Sequence, residues 1–291
     1  MNRQRQFPVR LGIVLGTICT LFVLGRAAHA SDYRGAFTEE FHQTYALASD
    51  GRVELENVDG AVHISTWDRD EVKVDAVKYA NSKERLEQAR INIDSDRNHL
   101  SIRTRYPDHD LTFSWAFHNF PALVEYNLTV PRAARLNEIK LINGSLAVTG
   151  ATGEVHASCI NGKLEAHNLS GRAELSTING VLKATFDQLP ASNVELSSVN
   201  GVVELTIPSD SKAEIEASTV SGWIKNEFGL HLNHHIVGRN LRGELGSGGP
   251  RIKLSNVNGR IEICHASDGR VLSPAKDLGH RDKDDDDDRE I

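Results

Sequence analysis

Residues able to do chemistry are few and scattered along the chain. His231-Leu-Asn-His234-His235 is the main histidine cluster, and histidines at i, i+3 and i+4 could share a metal ion. No cysteine or carboxylate stands immediately beside them to complete a ligand set, so a solvated loop is the competing reading. Carboxylates two residues apart occur at Asp68/Asp70, Asp94/Asp96 and Asp108/Asp110. On a strand each pair falls on one face, where two carboxylates could flank a glycosidic bond. The same pairs also suit polar positions beside turns. Phe113, Trp115 and Phe117 alternate, so on a strand they form one aromatic stripe. That stripe either stacks a ligand such as a sugar or peptide, or covers the open end of a hydrophobic core. The sequence holds no Gly-x-Ser-x-Gly, His-Glu-x-x-His, Cys-x-x-Cys or phosphate-binding glycine loop, and nothing implies a cofactor.

What must position these residues is a β-rich repeat. Asn-Gly recurs at Asn143-Gly144, Asn161-Gly162, Asn179-Gly180 and Asn200-Gly201, at spacings of 18, 18 and 21 residues, and again at Asn258-Gly259. Ser221-Gly222 and Asp59-Gly60 stand in equivalent settings. A β-branched residue precedes each copy: Ile142, Ile160, Ile178, Val199, Val257, Val220 and Val58. Apolar alternation flanks them, as in Ala173/Leu175 before and Leu182/Ala184 after. Alternation of period two is strand patterning, and Asn-Gly tolerates the positive φ of a tight corner. A second glycine-marked corner, at Gly150 to Gly153 and at Gly171, falls midway between the Asn-Gly pairs. The unit is therefore strand, corner, strand, corner, which competes with a meander of hairpins. The expected fold is all-β: a β-solenoid, a two-sided β-helix or β-roll-like stack of roughly 18–21-residue coils. Identical positions should then form ladders, with Ile/Val inside and Asn at one corner. Cys159 aligns with Leu141, Thr177, Ser198 and Thr219 in a small-residue slot. Five or six coils at about 4.8 Å each would separate Cys159 from Cys264, too far for a disulfide.

Regions outside the array read differently. Arg3, Arg5 and Arg10, an apolar stretch from Leu11 to Leu24 and Ala28-His29-Ala30 have the form of a signal peptide over residues 1–30. Its removal takes four arginines and moves the formal charge from −7 to −11. No transmembrane span is expected after that cleavage. Residues 31–130 form a less regular β-rich part with strands at 52–56, 61–65, 71–77, 90–94, 100–105 and 123–130. One short helix is expected over 82–89, capped by Ser82. Residues 131–266 hold the regular repeats, interrupted by a longer loop over 227–249. Residues 267–291 form an acidic tail with Asp284 to Asp288 in succession, too polar to order itself. The balance of 33 Lys plus Arg against 40 Asp plus Glu excludes the strongly basic surface of a nucleic-acid binder.

Three stretches carry a family resemblance: Trp67-Asp-Arg-Asp-Glu-Val72; Tyr126-Asn-Leu-Thr-Val-Pro131 leading into Leu141-Ile-Asn-Gly144; and Gly243-Glu-Leu-Gly-Ser-Gly-Gly249 before the final Asn-Gly copy. With the repeats they resemble the bacterial putative-adhesin family of unknown function (domain of unknown function 4097), over roughly residues 40–265. The resemblance implies an exported β-solenoid domain and carries no catalytic motif. The functional expectation is an exported, non-enzymatic binding module of the periplasm, cell surface or extracellular space, whose partner is an envelope protein or glycan surface. The alternatives are a glycan-active solenoid enzyme using strand-face carboxylates and an envelope-stress sensor or scaffold.

Overall fold

A computed structural model describes residues 37–106, 122–234 and 238–278. Residues 1–30, Phe113, Trp115, Phe117, His235 and the run Asp284 to Asp288 lie outside the described residues. The described chain is all-β with one short helix. In order it runs β1 (Phe37–Ala46), β2 (Arg52–Asp59), β3 (Val62–Trp67), β4 (Glu71–Ala80), α1 (Lys83–Gln88), β5 (Arg90–Ser95), β6 (His99–Arg105) and β7 (Leu123–Pro131). It continues with β8 (Arg135–Thr149), β9 (Val155–Leu169), β10 (Ala173–Phe186), β11 (Val194–Ile207) and β12 (Ala213–Asn226). The last strands are β13 (Asn233–His234), β14 (Arg239–Leu245), β15 (Arg251–His265) and β16 (Ala275–Asp277).

One large open sheet results, in the order β1-β4-β7-β3-β8-β9-β10-β11-β15-β12-β14-β13. β8 to β11, β15 and β12 pair in parallel and in register, Asn-Gly on Asn-Gly from β8 to β15 and Ser221-Gly222 of β12 on Asn258-Gly259. The Asn-Gly pairs thus lie inside long strands rather than at hairpin tips. β2 and β3 act together as one further copy, with Asp59 beside Asn143 and Val62 beside Leu146. On the N-terminal side the two halves part: β2 continues to β6 and β5, and β3 continues to β7, β4 and β1. The halves meet again through their buried faces. Thr104 on β6 sits 2.8 Å from the Tyr126 hydroxyl on β7, and Asn57 on β2 donates to the Val124 carbonyl at 2.8 Å. Burial pushes the Tyr126 phenol up to about 12.

Each long strand changes side-chain phase at its Asn-Gly. In β10 the buried residues are Ala173, Leu175 and Thr177, then Leu182, Ala184 and Phe186. A straight strand would keep one parity, so the corner absorbs a residue and turns both legs toward the core. The corner demands glycine on two grounds. Gly162, Gly180 and Gly201 adopt φ of 143°, 145° and 144°, and a Cβ at each would strike the carbonyl oxygen of the preceding glycine.

The expectation that the Ile/Val ladder lies inside is wrong. Ile142, Ile160, Ile178, Val199, Val220 and Val257 are 38–56% exposed. Cys159, Thr177 and Ser198 beside them are buried, and neighbours on a strand point to opposite faces, so both sets could not be inside. Three other expectations change, the first being that of a tail without order over 267–291, since residues 267–278 are described and their β16 pairs with β14. Residues 227–249 are not simply a loop, since they contain β14, antiparallel to β12. β15 also inserts between β11 and β12, which brings Cys264 within three rungs of the Cys159 rung rather than five or six. At about 4.8 Å per rung the two remain too far apart to bridge, and both are free thiols.

Candidate binding face

The corner of the parallel array carries four ladders side by side. Beneath it runs the small column Leu141, Cys159, Thr177, Ser198, Asn256 and Thr219. Two members reach up to the glycines of a neighbouring rung: Cys159 Sγ to the Gly144 carbonyl at 3.6 Å, and Asn256 Nδ2 to the Gly201 carbonyl at 3.0 Å. Burial raises the Cys159 thiol to about 11, so it is held as an unreactive thiol.

On the outside, Ile142, Ile160, Ile178, Val199, Val257 and Val220 follow one another rung by rung. Five rung spacings of about 4.8 Å give a stripe about 24 Å long. One residue further on, the side-chain amides of the asparagines chain together. Asn161 donates to Asn143 at 2.9 Å, Asn179 to Asn161 at 2.9 Å, Asn200 to Asn179 at 3.0 Å and Asn258 to Asn200 at 3.0 Å. Two residues before the aliphatic column runs a serine column, Ser158, Ser176, Ser197, Ser255 and Ser218. Beyond the serines the columns become charged and self-paired, as in Lys253 with Glu195 at 2.8 Å and Arg251 with Glu216. Past the corner, Val181, Val202, Arg260 and Trp223 line up on the second leg, with the Arg260 guanidinium 5.8 Å from the Trp223 ring centre. The hydroxyl, aliphatic and amide columns hold no ionised group from the β9 rung to the β12 rung, and the backbone ladders fix their spacing.

The sequence-derived chemistry is dispersed by contrast. His231 lies 2.6 Å from Asp277 through Nδ1, and its backbone N–H also donates to Asp277. The His234 side chain lies outside the described residues. Among the described residues no three His, Cys, Asp or Glu side chains gather to hold a metal. Of the carboxylate pairs, Asp108/Asp110 lie outside the described residues. Asp68 pairs with Arg132 at 3.0 Å. Asp96 accepts from the Asn98 and His99 backbones at 2.7 and 2.9 Å, closing the β5–β6 turn. Asp70 and Asp96 do line one cleft of about 490 Å³ with Ser49 and Arg97. A serine near a histidine occurs at Ser209, whose hydroxyl is 3.2 Å from His265 Nδ1. That residue is 2% exposed, its hydroxyl donates to the Ala266 carbonyl at 2.8 Å, and Asp268 binds its backbone N–H instead of the imidazole. The group is a loop anchor, since a nucleophile needs access and an oriented base.

No family model matches the chain, and no curated protein matches it. Solved structures do. A putative cell adhesion protein from Clostridium sporogenes is 13% identical, with TM-score 0.45, covering 78% of this chain and all of its own. A putative adhesin from Bacteroides fragilis is 11% identical, with TM-score 0.33, covering 78% of this chain and 97% of its own. One from Parabacteroides distasonis is 10% identical, with TM-score 0.22, covering 80% of this chain and all of its own. These bacterial structures carry the same kind of name as the family that the sequence resembles. Likeness at this level carries no argument about function, which rests on the residues themselves.

Proposed function

We propose that the chain is an exported, non-enzymatic binding module of the bacterial cell envelope, and that it binds through the exposed ladders at its Asn-Gly corner. The observation that carries this is the unbroken outward stripe from Ile142 to Val220, set between a serine column and an amide ladder. Aliphatic side chains in line on a rigid array are an interaction surface rather than scattered exposure. Hydroxyl and amide rows beside them suit a neutral, extended partner such as a glycan or an envelope protein strand. The signal-peptide pattern of residues 1–30 and the family resemblance of the sequence support an envelope location.

We also read the array as a solenoid, and chain length supports it. β9 ends at Leu169 and β10 begins at Ala173, in register with Val155 at the start of β9. Four residues reach about 14 Å at most, whereas a straight 15-residue strand is about 50 Å long. Each strand must therefore return on itself at its corner, so that one strand makes one coil.

The test is retention on immobilised cell-envelope material, before and after protease treatment, by the chain from residue 31 onward. Wild type is expected to bind, and Ile160→Asp to bind at least tenfold more weakly with an unchanged fold. Survival of binding after protease treatment assigns the partner to the glycan, and its loss assigns it to protein. Equal binding by the folded variant removes the corner from the account.

A further inference from the structure

β1 closes one end of the sheet order, and its other edge meets no strand among the described residues. Ten consecutive pairs join it to β4 from Phe37↔Ala80 to Ala46↔Glu71, without a bulge. Natural edge strands are usually kept from pairing by lysine, proline, a bulge or short length. β1 has none of these: Phe-Thr-Glu-Glu-Phe-His-Gln-Thr-Tyr-Ala is ten residues long, unbulged and free of Lys, Pro and Gly. Both of its faces are largely open, and Phe37 is 43% exposed. Phe37, Phe41 and Tyr45 share the face that pairs with the buried Ala80, Ala76 and Val72 of β4. Phe41 and Tyr45 pack partly against the core, and the outer hydrogen-bonding edge of β1 has no strand partner among the described residues.

We propose that β1 pairs antiparallel with β1 of a second copy, about a two-fold axis through Phe41. The sequence of the strand is self-complementary in that register. Phe41 meets Phe41 of the second copy, Phe37 meets Tyr45, Thr38 meets Thr44, Glu39 meets Gln43 and Glu40 meets His42. Aromatic pairs, threonine pairs and opposite charges are the favourable cross-strand neighbours, and no like charges stand opposite each other. On the core-facing side the Phe41 pair and the two Phe37–Tyr45 pairs alternate with Glu39–Gln43 pairs, whose Glu39 is already bound to Lys78 of its own chain at 2.7 Å. On the other side His42, already 2.7 Å from Asp75 and 3.3 Å from Glu40 of its own chain, gains a second glutamate. A two-fold interface uses one patch twice, and the paired edge makes one continuous sheet across both copies.

Sedimentation velocity on residues 31–291 tests this. The contact is small, so a reversible monomer–dimer equilibrium is expected between about 1 and 100 µM. Thr38→Lys with Thr44→Lys places lysines opposite one another at exposed positions; its dissociation constant should rise at least tenfold with an unchanged melting temperature. Phe41→Cys should form a disulfide-linked dimer on mild oxidation, because position 41 faces itself, whereas Thr38→Cys should not. Three results overturn the proposal: a monomer throughout that range, a dimer that survives in the folded double-lysine variant, or cross-linking by Thr38→Cys as fast as by Phe41→Cys.

Discussion

At the scale of single residues, the corner separates two kinds of position that look alike in composition. Ile178 is exposed, so Ile178→Asp should lower stability by about 1 kcal/mol or less. A buried aspartate would cost several times that, and a chemical melt distinguishes the two. Gly180 is the opposite case. Gly180→Ala combines positive φ with collision against the Gly162 carbonyl, and should cost about 3 kcal/mol or more in the same assay. A third residue sets an acid response. The Ser209 contacts, with help from the Arg270 backbone, hold the Asp268 carboxyl down at about 2. A depressed folded value contributes stability above the ordinary aspartate value near 4, lost as pH falls from there to about 2. Asp268→Asn should therefore melt below wild type at pH 6 and together with it at pH 2. A gap that persists at pH 2 would refute the assignment.

At the scale of elements, what was legible followed alternation. β2 to β7, α1 with its Ser82 cap and the Asn-Gly register all stand in the sequence as period-two patterns and turn residues. The Ile/Val ladder is apolar in character but outward in phase, since Val155, Ala157 and Cys159 are buried and place Ile160 on the other face. β1 was not visible because Glu39 and Gln43 occupy alternate core-side positions, leaving aromatics only every fourth residue. β14 was hidden by Gly243, which stands between Leu241 and Leu245 where Leu230 fills the space that a side chain would take. The entry of β15 between β11 and β12 had no local signal, because matching rungs of a repeat are interchangeable in pattern. That rearrangement still leaves Cys159 and Cys264 unpaired. Reductant should not change the melting temperature, and Cys159 should react with a thiol reagent only on unfolding.

At the scale of the whole molecule, the same repetition that builds the core builds the outer face. Each rung adds one buried row, one glycine corner, one aliphatic side chain and one polar group to ladders that the backbone holds about 4.8 Å apart. The chemistry-bearing side chains found in the sequence are tied into turns and ion pairs, at Asp68, Asp96 and His231, while the repeat converges on one surface. The most direct measurement is a binding isotherm for cell-envelope fragments, wild type against Ile178→Asp, with melting curves recorded on the same samples. A binding face at the corner predicts melts within a few degrees of each other and at least a tenfold loss of affinity in the variant. A folded variant that binds as tightly as wild type, or a variant that unfolds, would contradict it.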